Sequence, residues 1–178
     1  MKNPELSHAH AAAPDFIDYF IDSGNFLNIA QEPLRERNCV FCNIAHGEDP
    51  STDLLYKDDN YVAFRSIRPA ASHHYLIIPK SHIKDAVGLG AQHVPMLDEM
   101  EAIANDVLTQ LGGDSRTARI GYHWPPFISV SHLHLHAIAP ADDLSIKASI
   151  LFQPGSKWFR TTQEVVSRIK ARAVKPSL

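Results

Sequence analysis

The sequence predicts an α+β fold, in which a mostly antiparallel sheet packs against a long amphipathic helix and a C-terminal helix. Three observations support this fold class. Short strand-like segments follow one another along the middle of the chain. A long segment that ends near Leu111 repeats its apolar residues at helical spacing. A shorter segment after Thr161 does the same. Successive strands with few helices between them favour an antiparallel sheet over a parallel one.

The composition is typical of one globular domain. The chain has 178 residues, of which 44% are hydrophobic and 21% are charged, and this length is enough to bury a core. The net charge of −3 argues against a broad electrostatic contact with nucleic acid. No apolar run approaches the roughly 20 residues of a membrane span, and no secretory signal is visible. Two cysteines are too few for a disulfide-rich secreted domain, so we expect a cytoplasmic location that extends to the nucleus.

The N-terminal part of the chain is predicted to be an extension, residues 1–37, that precedes a domain over 38–178. Residues 1–14 are polar and rich in alanine, which indicates a disordered tail. Asp15 is a candidate N-cap, and apolar residues then recur at helical spacing. These residues are Phe16, Ile17, Phe20 and Ile21. We therefore expect a short amphipathic helix that docks on the domain or on a partner.

The first half of the domain is predicted to contain three strands. The segments Leu54–Lys57 and Tyr61–Ser66 are strand-like and flank the turn Asp58–Asn60. The segment His74–Pro79 is a short apolar run that ends in proline, which is typical of a buried strand.

The long helix is predicted from an apolar stripe between Pro95 and Gly112. Pro95 suits the first turn of a helix, and Gly112 with Gly113 suits its C-terminal end. The stripe contains residues spaced by three and four positions. They are Met96, Leu97, Met100, Ile103, Val107, Leu108 and Leu111.

The second half of the domain is predicted to add two strands and the last helix. A strand over Thr117–His123 leads into a stiff loop, Trp124–Phe127, which contains two prolines. The second strand is predicted in the apolar segment Ser131–Ala139, which follows this loop. Thr161 and Glu164 have the spacing of a capping box, which predicts the start of the C-terminal helix. Its inward residues are Val165, Val166 and Ile169.

Three histidines alternate within the apolar segment Ser131–Ala139. If this segment is a strand, His132, His134 and His136 share one face of it. The opposite face then carries Leu133, Leu135 and Ala137 into the core. Because imidazole titrates near neutral pH, such a row can supply a nucleophile, an acid or base, or metal ligands.

Metal binding is the main alternative for these histidines. Alternate residues of a strand lie about 6.6 Å apart, so a His-x-His pair can share one zinc ion, whereas the outer two histidines are about 13 Å apart. At most two of the three can therefore share a metal. The pair Cys39 and Cys42, separated by two residues, could bind one zinc. Redox pairs and unreactive buried thiols have the same spacing.

The histidine pattern resembles the signature of the histidine triad superfamily of nucleotide hydrolases and transferases, and in particular its HINT branch. Further segments agree with that pattern in order and separation, and together they cover about residues 38–170. They are Cys39–Ile44, Tyr61–Phe64, His74–Ile83, Gly121–Pro140 and Trp158–Phe159. The resemblance implies the histidine triad fold and a homodimer formed through the long helix and neighbouring strands.

The resemblance also implies a chemistry for the histidines. His134 matches the nucleophile of the family, which attacks the α-phosphorus of a nucleoside 5′-phosphoramidate and forms a nucleotidyl-histidine. His136 matches the residue that contacts the phosphate oxygens, Ser129 the residue that hydrogen-bonds the leaving group, and His74 the histidine beside the nucleophile. His132 belongs to the same predicted catalytic row.

Five apolar residues match the wall of the family's nucleoside pocket. They are Val40, Phe41, Ile44, Phe64 and Ile67. The family commonly has an acidic residue at the position of Ser66, where it bridges both ribose hydroxyls, and serine cannot accept from both in that way. The glycine-rich loop of smaller members is replaced by Trp124–Phe127, so its phosphate contacts are not transferred to this chain.

In relatives that carry the two cysteines, the resemblance implies two further zinc ligands at His82 and His132. Together with Cys39 and Cys42 they would form a closed Cys₂His₂ site, which is structural and leaves His134 and His136 free for catalysis. No cofactor is then required for the chemistry itself.

The function implied is hydrolysis of the P–N bond of adenosine 5′-phosphoramidates, with release of AMP, and hydrolysis of aminoacyl-adenylates. Purine nucleotides are the expected ligands. One alternative is a deadenylase acting on nucleic-acid ends, as in the aprataxin branch. The chain has no cysteines after Cys42 for the additional zinc finger of that branch. The other alternative is a nucleotide-binding scaffold with weak activity.

Overall fold

A computed structural model describes residues 34–174 of the chain. The predicted tail and the predicted helix around Phe16–Ile21 lie outside the described residues. The division into an extension over 1–37 and a domain over 38–178 therefore stays a prediction.

The centre of the fold is one six-stranded sheet in which every neighbouring pair of strands is antiparallel. Its strand order is β1-β2-β3-β5-β4-β6. The strands are β1 (Leu54–Lys57), β2 (Tyr61–Arg65), β3 (His73–Pro79), β4 (Arg119–His123), β5 (Leu135–Ala139) and β6 (Phe159–Arg160). The strands β3 and β5, which carry His74 and His136, are neighbours near the middle of this sheet.

Four α-helices accompany the sheet in the part of the chain that the structure describes. They are α1 (Val40–Ala45), α2 (Val94–Gln110), α3 (Ile146–Leu151) and α4 (Thr162–Ala173). No helix among the described residues has the length and apolar character needed to cross a bilayer. The predicted α+β class with a mostly antiparallel sheet is confirmed.

The long helix α2 packs against one face of the sheet. Pro95 lies in its first turn, as predicted, and the helix ends before Gly112, whose φ of 82° suits glycine. The buried stripe of α2 meets inward residues of β3 and β5, including Ile77, Leu135 and Ala137. Leu133 belongs to the same apolar cluster. This main core fixes which face of β5 is left for the histidines.

The opposite face of the sheet is covered in part by the short helix α1. Phe41, Cys42 and Ile44 of α1 pack against Phe64 of β2 and Leu76 of β3 in a second apolar cluster. Because side chains alternate along a strand, the two neighbours of Leu135, His134 and His136, point to this second face. The fold thus places α1 beside the histidines.

The histidine strand is shorter than predicted. Pairing in the sheet starts at Leu135, whereas the sequence favoured a strand from Ser131. The amide of Leu133 donates to the carbonyl of Ile83, and the amide of His132 donates to that of Val130. These bonds take the preceding segment out of the sheet, so His132 does not continue the row of imidazoles.

The remaining elements close the end of the sheet beside β4. The capping box of α4 is confirmed: the Thr161 hydroxyl accepts from the amide of Glu164, whose carboxylate accepts from the amide of Thr161. No sequence pattern predicted α3 or the two-residue strand β6. A side chain at Gly121 would collide with the ring of Phe159 and with the Arg160 carbonyl. Glycine therefore lets β6 approach β4 closely at the edge of the histidine cluster.

Candidate active site

His134 is buried immediately before β5, with 6% of its surface exposed. Its Nδ1 lies 2.6 Å from the carbonyl oxygen of His132. Because a carbonyl oxygen only accepts, Nδ1 must carry the hydrogen, and the neutral ring then has its lone pair on Nε2. The backbone thus fixes the tautomer that leaves Nε2 available as a nucleophile.

His136 and His74 form a hydrogen-bonded pair whose tautomers can be assigned in the same way. The amide of Ala70 donates to Nδ1 of His74 at 3.0 Å, so the neutral His74 ring carries its hydrogen on Nε2. That Nε2 lies 2.9 Å from Nδ1 of His136 and donates to it. The hydrogen of neutral His136 is therefore on Nε2, which is buried without a hydrogen-bond partner within the described chain.

The imidazoles of this cluster are held neutral by burial. Burial lowers the pKa of His134, while the bond to the His132 carbonyl partly opposes this. Burial also lowers the pKa of His136 well below its ordinary value, and that of His74 from 6.5 to about 4. The charges of neighbouring histidines act in the same direction. Near neutral pH the His134 lone pair is accordingly not blocked by a proton.

We expect the stability of the protein to fall as the pH falls from about 6.5 to about 4, partly through His74. Its folded-state pKa of about 4 lies below the unfolded value of 6.5. In that window the unfolded chain binds a proton that the folded chain does not, so the contribution is complete above pH 6.5 and is lost below it. At about 1.4 kcal/mol per pKa unit, His74 accounts for about 3 kcal/mol.

The measurement is the free energy of unfolding in urea across this pH range for the native protein and for His74→Gln. Glutamine can accept from the Ala70 amide and donate to His136 but does not titrate. Its loss of stability with falling pH should be smaller by about 3 kcal/mol. Parallel curves for the two proteins would contradict the assignment.

The residues predicted to line a nucleoside pocket divide into two groups. Phe41, Ile44 and Phe64 are buried and pack together, and the Phe41 ring stands edge-on to His134 with their centroids 5.3 Å apart. Val40 and Ile67 are exposed, by 48% and 92%. The exposed pair could contact a ligand directly, whereas the buried group supports the position of the His134 ring.

The two serines predicted for the site form no hydrogen bond with the histidine rings among the described residues. The Ser66 hydroxyl accepts from the amide of Arg68 at 3.3 Å in a local turn. Ser129 is exposed in the loop before β5, and with Val40 and His82 it lines a cavity of about 500 Å³. No hydrogen bond joins Ser129 to His134 or His136 in the described residues.

The residues predicted to bind metal form one compact cluster. The ligand atoms of Cys39, Cys42, His82 and His132 all lie within 4.8 Å of one another. Nδ1 of His82 is 3.4 Å from the Cys42 sulfur, and Nδ1 of His132 is 3.4 Å from the Cys39 sulfur and 3.6 Å from the Cys42 sulfur. Bond lengths of about 2.3 Å to sulfur and about 2.0 Å to nitrogen place tetrahedral sulfur and nitrogen ligands about 3.5 Å apart. The cluster can therefore hold a metal such as zinc.

The surroundings of the cluster also suit a metal site. Nε2 of His132 donates to the carbonyl of Pro79 at 2.9 Å, which leaves the Nδ1 lone pair facing the sulfurs. The amide of Glu36 points to the Cys42 sulfur at 3.5 Å. Both ring nitrogens of His132 thus have partners other than His134, and its backbone carbonyl accepts the hydrogen bond from the predicted nucleophile His134.

His123 is a member of the cluster that the sequence analysis did not identify. It ends β4, and its ring stands edge-on to His136 with their centroids 4.8 Å apart. The sequence predicts only a strand at His123, because the pairing of β4 with β5 that brings its ring to His136 leaves no signal in the sequence. The one feature of the sequence that could have pointed to His123 is its position directly before the Trp124–Phe127 loop.

Comparison with known proteins gives one family and several relatives. The family model described as "Scavenger mRNA decapping enzyme C-term binding" matches residues 38–151, which is more than half of the chain. Adenosine 5′-monophosphoramidase HINT3 of Xenopus tropicalis is 36% identical over 144 residues, which cover 80% of this chain and 94% of the relative. Aprataxin of Danio rerio is 34% identical over 93 residues, 52% of this chain and 28% of that protein.

Solved structures agree with the fold. A histidine triad protein from Clostridium difficile superimposes with a TM-score of 0.56 at 27% sequence identity, covering 59% of this chain and 92% of the other. A HIT family hydrolase from Clostridium thermocellum gives a TM-score of 0.55 at 33% identity, covering 58% and 91%. The fold described above is therefore shared with solved proteins of the histidine triad family.

Proposed function

Because the chain belongs to the histidine triad family, we propose that it is a hydrolase that cleaves the P–N bond of adenosine 5′-phosphoramidates and releases AMP. The observation that carries this proposal is the pairing of two ring nitrogens with opposite roles on two buried histidines. Nε2 of His134 presents a lone pair and Nε2 of His136 presents an N–H, on rings whose centroids are 4.9 Å apart. Aminoacyl-adenylates, which also carry an activated α-phosphorus, are included in the proposed substrates.

In the first step, Nε2 of His134 attacks the α-phosphorus and the bond to the amine breaks. The product is a nucleotidyl-histidine, which water then hydrolyses to AMP, so that one difficult displacement becomes two easier ones. The neutral ring required for attack is supported by the burial that lowers the pKa of His134. The carbonyl of His132 keeps the reactive tautomer in place.

His136 is proposed to stabilise the negative charge on the phosphoryl oxygens. Its Nε2–H is buried and unpartnered within the described chain, which is unfavourable in the free protein. A phosphoryl oxygen would supply the missing acceptor, and the bond would strengthen as charge develops in the transition state. His74 holds this orientation through its own donor bond to Nδ1 of His136.

The nucleoside is proposed to bind beside α1, with Val40 and Ile67 against the base and the Phe41 edge near the reacting phosphate. The exposure of the first two and the 5.3 Å contact of Phe41 with His134 support this placement. The Ser66 hydroxyl already accepts from the Arg68 amide. It would therefore hold a ribose more weakly than the carboxylate common in the family does.

We further propose that the Cys39, Cys42, His82 and His132 cluster binds a structural zinc ion. The sulfur–nitrogen distances and the buried donor set support this assignment. With four protein ligands the site has no open position, so a metal there would stabilise the fold and take no part in the chemistry. Such a site would tie α1 to the segment that leads into β5.

The test of the proposed function is a turnover assay with the purified chain. AMP release is measured from an adenosine 5′-phosphoramidate of an alkylamine and, in parallel, from 5′-adenylated DNA. We expect turnover of the phosphoramidate. Faster turnover of the adenylated DNA would favour an aprataxin-like deadenylase, which the aprataxin similarity supports. Tight protein binding without AMP binding or turnover would favour a scaffold.

A homodimer and a cytoplasmic and nuclear location complete the proposal. The support for the dimer is the family resemblance, and light scattering of the purified chain would test it. The net charge of −3 agrees with a nucleotide rather than a nucleic-acid ligand.

A further inference from the structure

His123 is a half-buried histidine that the mechanism above leaves without a role. It lies at the end of β4, with its ring edge-on to His136 at a centroid distance of 4.8 Å. Together with Ile128 and His134 it lines one small crevice. The ring therefore lies beside both histidines that the proposed reaction uses.

The hydrogen bonding of His123 leaves one ring nitrogen able to exchange a proton. Nδ1 lies 3.2 Å from the carbonyl of Trp158, so it carries a hydrogen and donates. No hydrogen bond to Nε2 occurs within residues 34–174, and Nε2 is not among the fully buried atoms that lack a partner. Nε2 can thus accept a proton from solvent and later release it.

The other two groups that the proposed first step uses, His136 and His134, cannot supply a proton in this way. Nδ1 of His136 accepts from His74, so neutral His136 would have to become an imidazolate in order to release the hydrogen on Nε2. Nε2 of His134 becomes bonded to phosphorus. The Ser129 hydroxyl can relay a proton but must receive one from another group. An amine is a poor leaving group unless it is protonated, so a further acid is required.

We propose that His123 is a further catalytic residue that protonates the departing amine and then activates the attacking water. This inference rests on the proposed function. As Nε2 of His134 bonds to phosphorus, the P–N bond breaks, its electron pair stays on nitrogen, and that nitrogen takes the proton from Nε2 of protonated His123. Nε2 of His123 then accepts a proton from water while the water oxygen bonds to phosphorus. The bond between phosphorus and His134 breaks, and its electron pair returns to the ring.

The surroundings of His123 agree with this role. Phe152 and Phe159 flank its ring at centroid distances of 4.8 and 5.5 Å. Burial lowers its pKa, while the bond to the Trp158 carbonyl raises it. The titratable groups that face it are His134 and His136, with His74 behind them. Lys84 and Asp85 lie on the wall of the crevice. The negative phosphate of a bound nucleotide would favour the protonated ring.

The experiment compares two substrates that differ in whether the leaving group needs a proton. One is the adenosine 5′-phosphoramidate of an alkylamine, and the other is adenosine 5′-(4-nitrophenyl phosphate), whose nitrophenolate leaves unprotonated. The enzymes are the native protein, His123→Gln, His123→Asn and the control His73→Gln. His73 precedes His74 on β3 and its ring contacts Tyr75. Single-turnover formation of the nucleotidyl-histidine is measured for each pair.

We expect His123→Gln to slow reaction of the phosphoramidate by about 10²- to 10⁴-fold. The nitrophenyl ester should change by less than about tenfold, and added imidazole should restore part of the lost rate. Equal losses with both substrates, or no loss with either, would overturn the proposal for His123. His123→Asn supplies the same comparison if the glutamine variant does not fold. If the native protein cleaves neither substrate, the proposed function itself fails, which is a distinct result.

Discussion

Replacement of His134 by alanine is expected to reduce AMP release by about 10⁴-fold or more while the protein stays folded. The reason is that the nucleotidyl group has no other acceptor positioned as His134 Nε2 is, with its tautomer fixed by the His132 carbonyl at 2.6 Å. The residual rate would come from the groups that bind the phosphate, including the Nε2–H of His136. AMP binding should change much less than turnover, because the ring acts in a covalent step.

The measurement has two parts, a steady-state assay and trapping of the covalent intermediate. Substrate labelled in the adenosine should transfer its label to the native protein as an acid-labile adduct, and the labelled peptide should contain His134. The control is His93→Ala. His93 lies just before α2 and accepts a hydrogen bond from the Gly90 amide, so this variant should keep full activity. AMP release by His134→Ala near the native rate, or label on another histidine, would refute the mechanism.

Replacement of Cys42 by serine is expected to cause the second large effect, a loss of bound metal together with about 4 kcal/mol or more of stability. Cys42 is fully buried and its sulfur lies near the Nδ1 atoms of both His82 and His132. Free energies of metal binding at a closed site are also folding free energies, because the unfolded chain has no preformed site. Removal of the metal from the native protein by a chelator should also lower the free energy of unfolding.

The metal content of the purified protein and the free energy of unfolding in urea test this prediction. Asn43→Ser serves as the control, since it places the same residue on the same helix but leaves the four ligands intact. We expect about one zinc ion per native chain and none in Cys42→Ser. A folded native protein without bound metal, or equal stability of the two serine variants, would contradict the assignment.

Loss of the metal should also lower catalytic activity through His132. The ring of this residue belongs to the metal cluster, while its carbonyl fixes the tautomer of His134. Movement of the His132 backbone would therefore disturb the nucleophile directly. We therefore expect loss of metal from the Cys39, Cys42, His82 and His132 cluster to slow the attack of His134 on phosphorus.

The local elements were largely predictable from the sequence because their signals are local. The strand Leu54–Lys57 was predicted at its observed bounds, and β2 and β3 within one residue. The proline and glycine residues that bound α2 identify that helix, and the Thr161–Glu164 spacing identifies the start of α4. The apolar face of the histidine segment also packs as predicted, since Leu133, Leu135 and Ala137 join the main core.

The errors arose where a contact with a distant part of the chain decides the local structure. The segment before Leu135 leaves the sheet because its amides bond to Ile83 and Val130, and no periodicity reveals such partners. The short elements α3 and β6 contain too few residues to show a period. His123 joins the site only because β4 pairs with β5 and β6.

The sequence by itself therefore determined the fold class, the order of the main elements and the alternation of the histidines, because side-chain alternation and helix signals act over a few positions. The tertiary structure alone decided which hydrogen-bond partners each imidazole has. Backbone groups select the nitrogen of each ring that carries a proton, and they include the carbonyls of Pro79 and Trp158 and the amide of Ala70, which lie far along the chain or in loops. Imidazole chemistry depends on such partners, so identity and spacing could name these residues but could not assign their roles.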